Sequence, residues 1–294
     1  MRRAVIALAI FLSLLVAGCA GAANTGQAPG AAPTSPPTSE TRYETNAIVL
    51  QRSSDEPMLC LGAIAESFPP QCGTIPIRNW SWDRVDGEQA AAGSTWGVYH
   101  VVGTYDGESF TALEVRAADR TDEAPQDEIE IPCPEPAGGW TASDPSRMSE
   151  RDLYAAGRLA SGEPDSAGWW IKHTQPEPPS ADQGGVDTLK DVVMNAAFTG
   201  DVERHRRELA AVWGGPLCVV RYDRTESELR RIQSDLTENG RRDFGIQLLF
   251  ASTDVVHNQV DIGVVVADEG TRDAVDERYG PGTVRLLPAL RPLG

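Results

Sequence analysis

Four cysteines, Cys60, Cys72, Cys133 and Cys218, follow a fifth at position 19, and the fate of their thiols limits this chain more than any other feature. In an oxidising compartment an even set is expected to pair, and two disulfides then dictate which distant segments must meet. Four cysteines allow three pairings. Joining Cys60 to Cys72 closes a short loop containing Pro69-Pro70 and leaves Cys133 for Cys218. The short loop is worth about 3 kcal/mol on the chain-entropy model, and the longer one somewhat more. A zinc site is the rival use of such thiols, but no C-x-x-C pair occurs and His100, His173, His205 and His257 are scattered. No metal is expected.

The compartment is decided at the N-terminus. Arg2-Arg3 is followed by the apolar stretch Ala4 to Val16 and by the small residues Ala17 and Gly18 before Cys19. That is the order of a secretory signal. A transmembrane helix needs about 20 apolar residues; this run is shorter and gives way to Gly, Ala, Asn, Thr and Pro. Val16-Ala17-Gly18-Cys19 resembles the lipobox of bacterial lipoproteins. The resemblance implies that residues 1–18 are a signal peptide cut before Cys19 and that the Cys19 thiol carries a diacylglycerol. The mature protein would then be anchored on the extracytoplasmic face of the cell membrane, each buried methylene contributing about 0.8 kcal/mol. Arg2-Arg3 lacks the longer flanks of a twin-arginine signal, so general secretion is expected. Residues 19–43 are mostly Ala, Gly, Pro, Ser and Thr, a flexible tether with a typical span of roughly 25 Å.

Without Arg2 and Arg3 the 26 basic residues become 24 against 43 acidic ones, a formal charge of -19. Such a body argues against a nucleic-acid partner and against electrostatic docking on anionic lipid. Only Lys172 and Lys190 are lysines; with abundant Ala, Gly and Pro, that composition is associated with high-GC bacterial genomes, actinobacterial ones among them.

Residues 44–117 read as a small β domain, a barrel or a sandwich. Ala47 to Leu50 is a short strand, Trp80 and Trp82 alternate on one face, and Asp106-Gly107 between two β-rich runs signals a hairpin. Residues 118–147 are an acidic, Pro-rich connector, which Cys133 would pin to the domain that follows. Its run Asp122, Glu123, Asp127, Glu128 and Glu130 lacks the spacing of a calcium loop.

Residues 148–294 read as an α/β domain. Ser149 with Asp152 and Thr225 with Glu228 form helix-starting boxes, Asp201 and Asp268 cap two further helices, and "GWWIK" is a candidate short strand. From "DVVMNAAF" onward the order is β-α-β-α-β-β-α-β, which resembles a ferredoxin-like α/β sandwich with one added helix. The fold class is thus α+β. No internal repeat is evident in the residues.

No catalytic or cofactor signature stands out: G-x-S-x-G, H-E-x-x-H and a phosphate-binding loop with Lys are all missing. No cofactor is expected. His205, between Arg204 and Arg206-Arg207, reads as part of a solvated helix face paired with Glu203 and Glu208. Among the tryptophans, Trp80 and Trp82 could form an aromatic platform, and Trp169 with Trp170 should point to opposite faces of a strand, leaving one indole exposed. These four are the candidate binding surface.

The expected role is therefore that of a lipid-anchored, non-catalytic binding module at the cell envelope, its partner an envelope protein or polysaccharide. The alternative is an envelope hydrolase with a non-standard pair of carboxylates, Asp83 with Asp86 or Asp261 with Asp268. "PLCVV" and "DERYGPGTV" are similar to segments of bacterial lipoproteins of uncharacterised activity, a likeness that implies no function.

Overall fold

Alternation of side chains builds the first part of the chain. The structure, a computed structural model, describes residues 41–62, 67–118, 129–174 and 186–293; Cys19, the signal peptide, nearly all of the tether and the acidic stretch 119–128 lie outside the described residues. Strand β1 (Arg42–Arg52) buries Thr45, Ala47 and Val49 and turns the residues between them outward, the period of two that a half-buried strand requires. Strands β2 (Met58–Cys60), β3 (Ile75–Arg78), β4 (Gln89–Ala91), β5 (Ser94–Tyr105) and β6 (Phe110–Ala117) follow. β1 pairs with β5 from Arg42↔Thr104 to Arg52↔Ser94 and with β2 through Ile48↔Cys60; β2 pairs with β3, β3 runs parallel to β6, and β6 returns to β5. Those pairings close a ring of five strands, which a small barrel fills with side chains. Val49, Leu59, Ile77, Tyr99, Val101 and Phe110 form that filling.

Two local devices hold the ring. Gly103 sits where β5 shifts register against β6, and a Cβ there would collide with the carbonyl of Thr111 and the ring of Phe110. In the β5–β6 turn, Asp106 accepts backbone hydrogen bonds from Ser109 (2.7 Å) and Glu108 (2.9 Å), which pull its carboxyl down to about 2.

The remaining elements come twice in one order. Helix α1 (Glu150–Gly162), strands β7 (Ser166–His173) and β8 (Val192–Phe198), helix α2 (Val202–Val212) and strand β9 (Leu217–Arg221) make the first set. Helix α3 (Glu226–Phe244), strands β10 (Leu248–Asp254) and β11 (Gln259–Val264), helix α4 (Glu269–Tyr279) and strand β12 (Val284–Pro288) make the second. In each set the first two strands are antiparallel and the third lies parallel beside the second.

The correspondence reaches individual bonds. Capping boxes Ser149–Asp152 and Thr225–Glu228 start α1 and α3, and the Asp201 and Asp268 carboxylates accept backbone N–H bonds at the starts of α2 and α4. Arg206 donates to the Val219 carbonyl in β9, as Arg272 donates to the Leu286 carbonyl in β12. The helices cover one face of each sheet. Leu153, Ala156, Leu209 and Trp213 pack on Met194, Ala196 and Phe198; Leu229, Leu236 and Val275 pack on Val260, Ile262 and Val264.

The eight-element order read from the sequence therefore divides differently from a ferredoxin-like sandwich. The strands form two three-stranded sheets rather than one, because each set completes its parallel pair before the next begins. "GWWIK" belongs to the full strand β7, which flanks β8. A last strand, β13 (Arg291–Pro292), pairs with the start of β1, and Val265 and Leu290 enter the barrel core. The β region thus shares its core with the C-terminal residues, and the described residues form one compact unit. Two disulfides, Cys60–Cys72 and Cys133–Cys218, cross-link it.

Candidate functional site

The four tryptophans singled out in the sequence do not share a surface. Trp80 and Trp82 lie half-buried between β3 and β4, where they pack against the barrel core. Trp80 meets Tyr99 edge-on at 5.0 Å and Trp82 at 5.4 Å, and the Trp82 indole N–H donates to Gln51 Oε1. Burial, then the charges of Glu88 and Asp86, push the Tyr99 phenol up.

Trp169 and Trp170 do point to opposite faces of β7, but neither is exposed. Trp169 lies half-buried on the helix side, edge-on to Tyr154 and over Gly157, where any Cβ would strike its ring. Trp170 is only 8% exposed. The expected free indole is corrected accordingly: this sheet is covered on both faces, so both alternating residues of β7 find packing partners.

Two of the four carboxylates considered for hydrolysis are already engaged. Asp261 accepts two bonds from Arg285, at 3.0 and 2.7 Å, and Asp268 caps α4, where the Thr271 N–H holds its carboxyl below the usual range. Asp83 and Asp86 are exposed near the barrel end.

His205 departs furthest from its sequence reading. Rather than belonging to a solvated face, it is 1% exposed and stacked on Phe198 at 3.7 Å. Charged neighbours at 204, 206 and 207 hid this, although Leu209, one turn on, marks the buried side of the helix. Its Nε2 lies 2.9 Å from Asp165 Oδ2. Ligand-type atoms of Glu163, Asp165 and His205 fall within 4.8 Å of one another, a set whose chemistry suits a divalent cation. The Arg204 guanidinium is the cation placed among them: Nη2 is 3.1 Å from Glu163 Oε2 and 2.8 Å from His205 Nε2, while Nη1 reaches Glu208 at 2.9 Å. Glu163 first, and Glu208 after it, hold the guanidinium pKa above its ordinary value.

Glu163 also borders a groove of about 940 Å³ between the end of α1 and start of β7 on one side and α3 on the other. Ser161, Glu163 and Ser166 form the first wall, and Ser227, Arg230, Arg231 and Ser234 belong to the second. Arg230 is paired with Glu226 at 3.0 Å, whereas Arg231 meets the Ser227 hydroxyl at 3.3 Å. Hydroxyls and charges of both signs line it, so the groove can hold a hydrated, polar chain by hydrogen bonds. Its walls are some 60 residues apart in sequence, and no spacing rule joins them. No protein-family model matches the chain, and no match is found among curated proteins.

Proposed function

We propose that this chain is a lipid-tethered, non-catalytic binding module on the extracytoplasmic side of the cell membrane, and that the α1–α3 groove holds a polar segment of an envelope partner. The observation that carries the reading is the groove itself. It is open and lined by four serines, and Arg231, whose guanidinium meets the Ser227 hydroxyl, is a cation within reach of an incoming carbonyl or carboxylate. Two disulfides agree with maturation in an oxidising compartment. Among the described residues no helix is long and apolar enough to cross a membrane; the attachment proposed, lipid on Cys19, rests on the Val16-Ala17-Gly18-Cys19 resemblance.

The test uses the full lipidated chain in its host, with a photo-cross-linking residue at Ser234 or, as a control, at the exposed Val98 of the barrel. A discrete adduct from Ser234 that is absent from Val98 and lost with Arg231→Glu supports the reading. Identical adducts from both positions, or none from Ser234, contradict it. Cys19→Ser is expected to abolish incorporation of a labelled fatty acid, and retained labelling would refute the anchor.

A further inference from the structure

The face of the β7-β8-β9 sheet turned away from α1 and α2 carries one row across its strands. Trp170 lies opposite Asn195, and Asn195 opposite Cys218. All three are buried, Asn195 and Cys218 completely. Val255 and Val256, from the turn between β10 and β11, pack onto this face with Tyr222, which stacks on Trp170 at 6.2 Å and donates its hydroxyl to the Val256 carbonyl at 2.6 Å. On the β9 side, Cys133 is bonded to Cys218.

Two polar atoms of this row are buried without a hydrogen-bond partner among the described residues: the indole Nε1 of Trp170 and the amide Oδ1 of Asn195. The amide cannot be turned to exchange their roles at no cost, because its Nδ2 donates to the Val193 carbonyl at 3.1 Å. One buried donor and one buried acceptor therefore stand on neighbouring strands, and buried polar groups are seldom left unmatched.

The corresponding row of the second repeat is Ser252, Asp261 and Arg285. There Asp261 takes Arg285 and also Gln259 Nε2 at 3.0 Å. Among the described residues the orphan pair is peculiar to the first repeat.

A hydroxyl accepts from an indole N–H and donates to an amide oxygen, and water is the smallest carrier of that chemistry. We infer that one water molecule is bound between Trp170 Nε1 and Asn195 Oδ1 as a fixed part of the joint between the two repeats.

A crystal structure of the oxidised chain, at a resolution that shows ordered solvent, is expected to place one peak about 2.7–3.2 Å from both atoms. A direct Trp170–Asn195 hydrogen bond, an empty site, or density for a larger molecule would each overturn the inference. In solution, the Trp170 indole proton is expected to show a cross-peak to a long-lived water, and its absence counts against the site. Trp170→Phe and Asn195→Leu should each lower the unfolding midpoint, and the double variant by less than the two shifts combined. Additive shifts would contradict a shared water.

Discussion

In the first repeat, the sheet face left free by its helices is covered by Val255, Val256 and Tyr222, with a disulfide at its edge. In the second, the same row holds the Asp261–Arg285 pair, with about a third of the Arg285 side chain in contact with solvent. The helix-facing sides are alike in kind: branched and long apolar residues under two capped helices. What differs is the far side. An ion pair that keeps part of its hydration loses little on burial, whereas charges under Val255 and Val256 would be desolvated on both partners. One framework thus accepts two solutions, uncharged and covalent where another element covers the sheet, charged where solvent reaches it.

Breaking the covalent solution should have the largest effect. Replacing Cys133 and Cys218 together by Ser, with Cys60–Cys72 kept, is expected to cost about 4 kcal/mol, measured by denaturant unfolding. Next come exchanges within the rows. Asn195→Asp puts an uncompensated charge into the buried row and should cost about 3 kcal/mol near neutral pH, while Asp261→Asn, which keeps one acceptor for Arg285, should cost about 2 kcal/mol. Equal costs would erase the distinction between the two faces.

Where the repeats agree, their variants should agree as well. Arg206→Ala and Arg272→Ala each remove one helix-to-strand bond and should cost about 1 kcal/mol apiece.

The smallest effect concerns alkali. Tyr279 donates to Asp235 at 2.6 Å, and burial, followed by that bond, pushes its phenol up to about 12. Folding therefore favours the protonated phenol; its contribution is complete below about pH 10 and fades as pH rises through the folded value. Tyr279→Phe should remove that part of the alkaline loss of stability, followed by melting at stepped pH. At the end of α2 in the first repeat stands buried, non-titrating Trp213, so this contribution has no counterpart at that position.

Much of the local structure was legible. The boxes at Ser149 and Thr225, the caps at Asp201 and Asp268 and the Asp106-Gly107 turn rest on contacts within four residues, where sequence spacing and spatial distance coincide. The repeated order was hidden because its signal lies in caps and latches such as Arg206 and Arg272, while the strands between them differ: "VVMNAAF" and "QVDIGV" share little but burial. Sheet partition depends on which strands pair, which element order leaves open. The groove and the Glu163–Asp165–His205–Arg204 cluster were illegible for the same reason, being assembled from α1, α2, α3 and the start of β7.

The most direct test of the comparison is native-state hydrogen exchange on β8 and β11 in wild type and in the Cys133→Ser, Cys218→Ser double variant. Amides of β8 and β9 are expected to lose protection while those of β11 and β12 keep theirs. Equal loss in both sheets, or unchanged protection in β8 and β9, would contradict it.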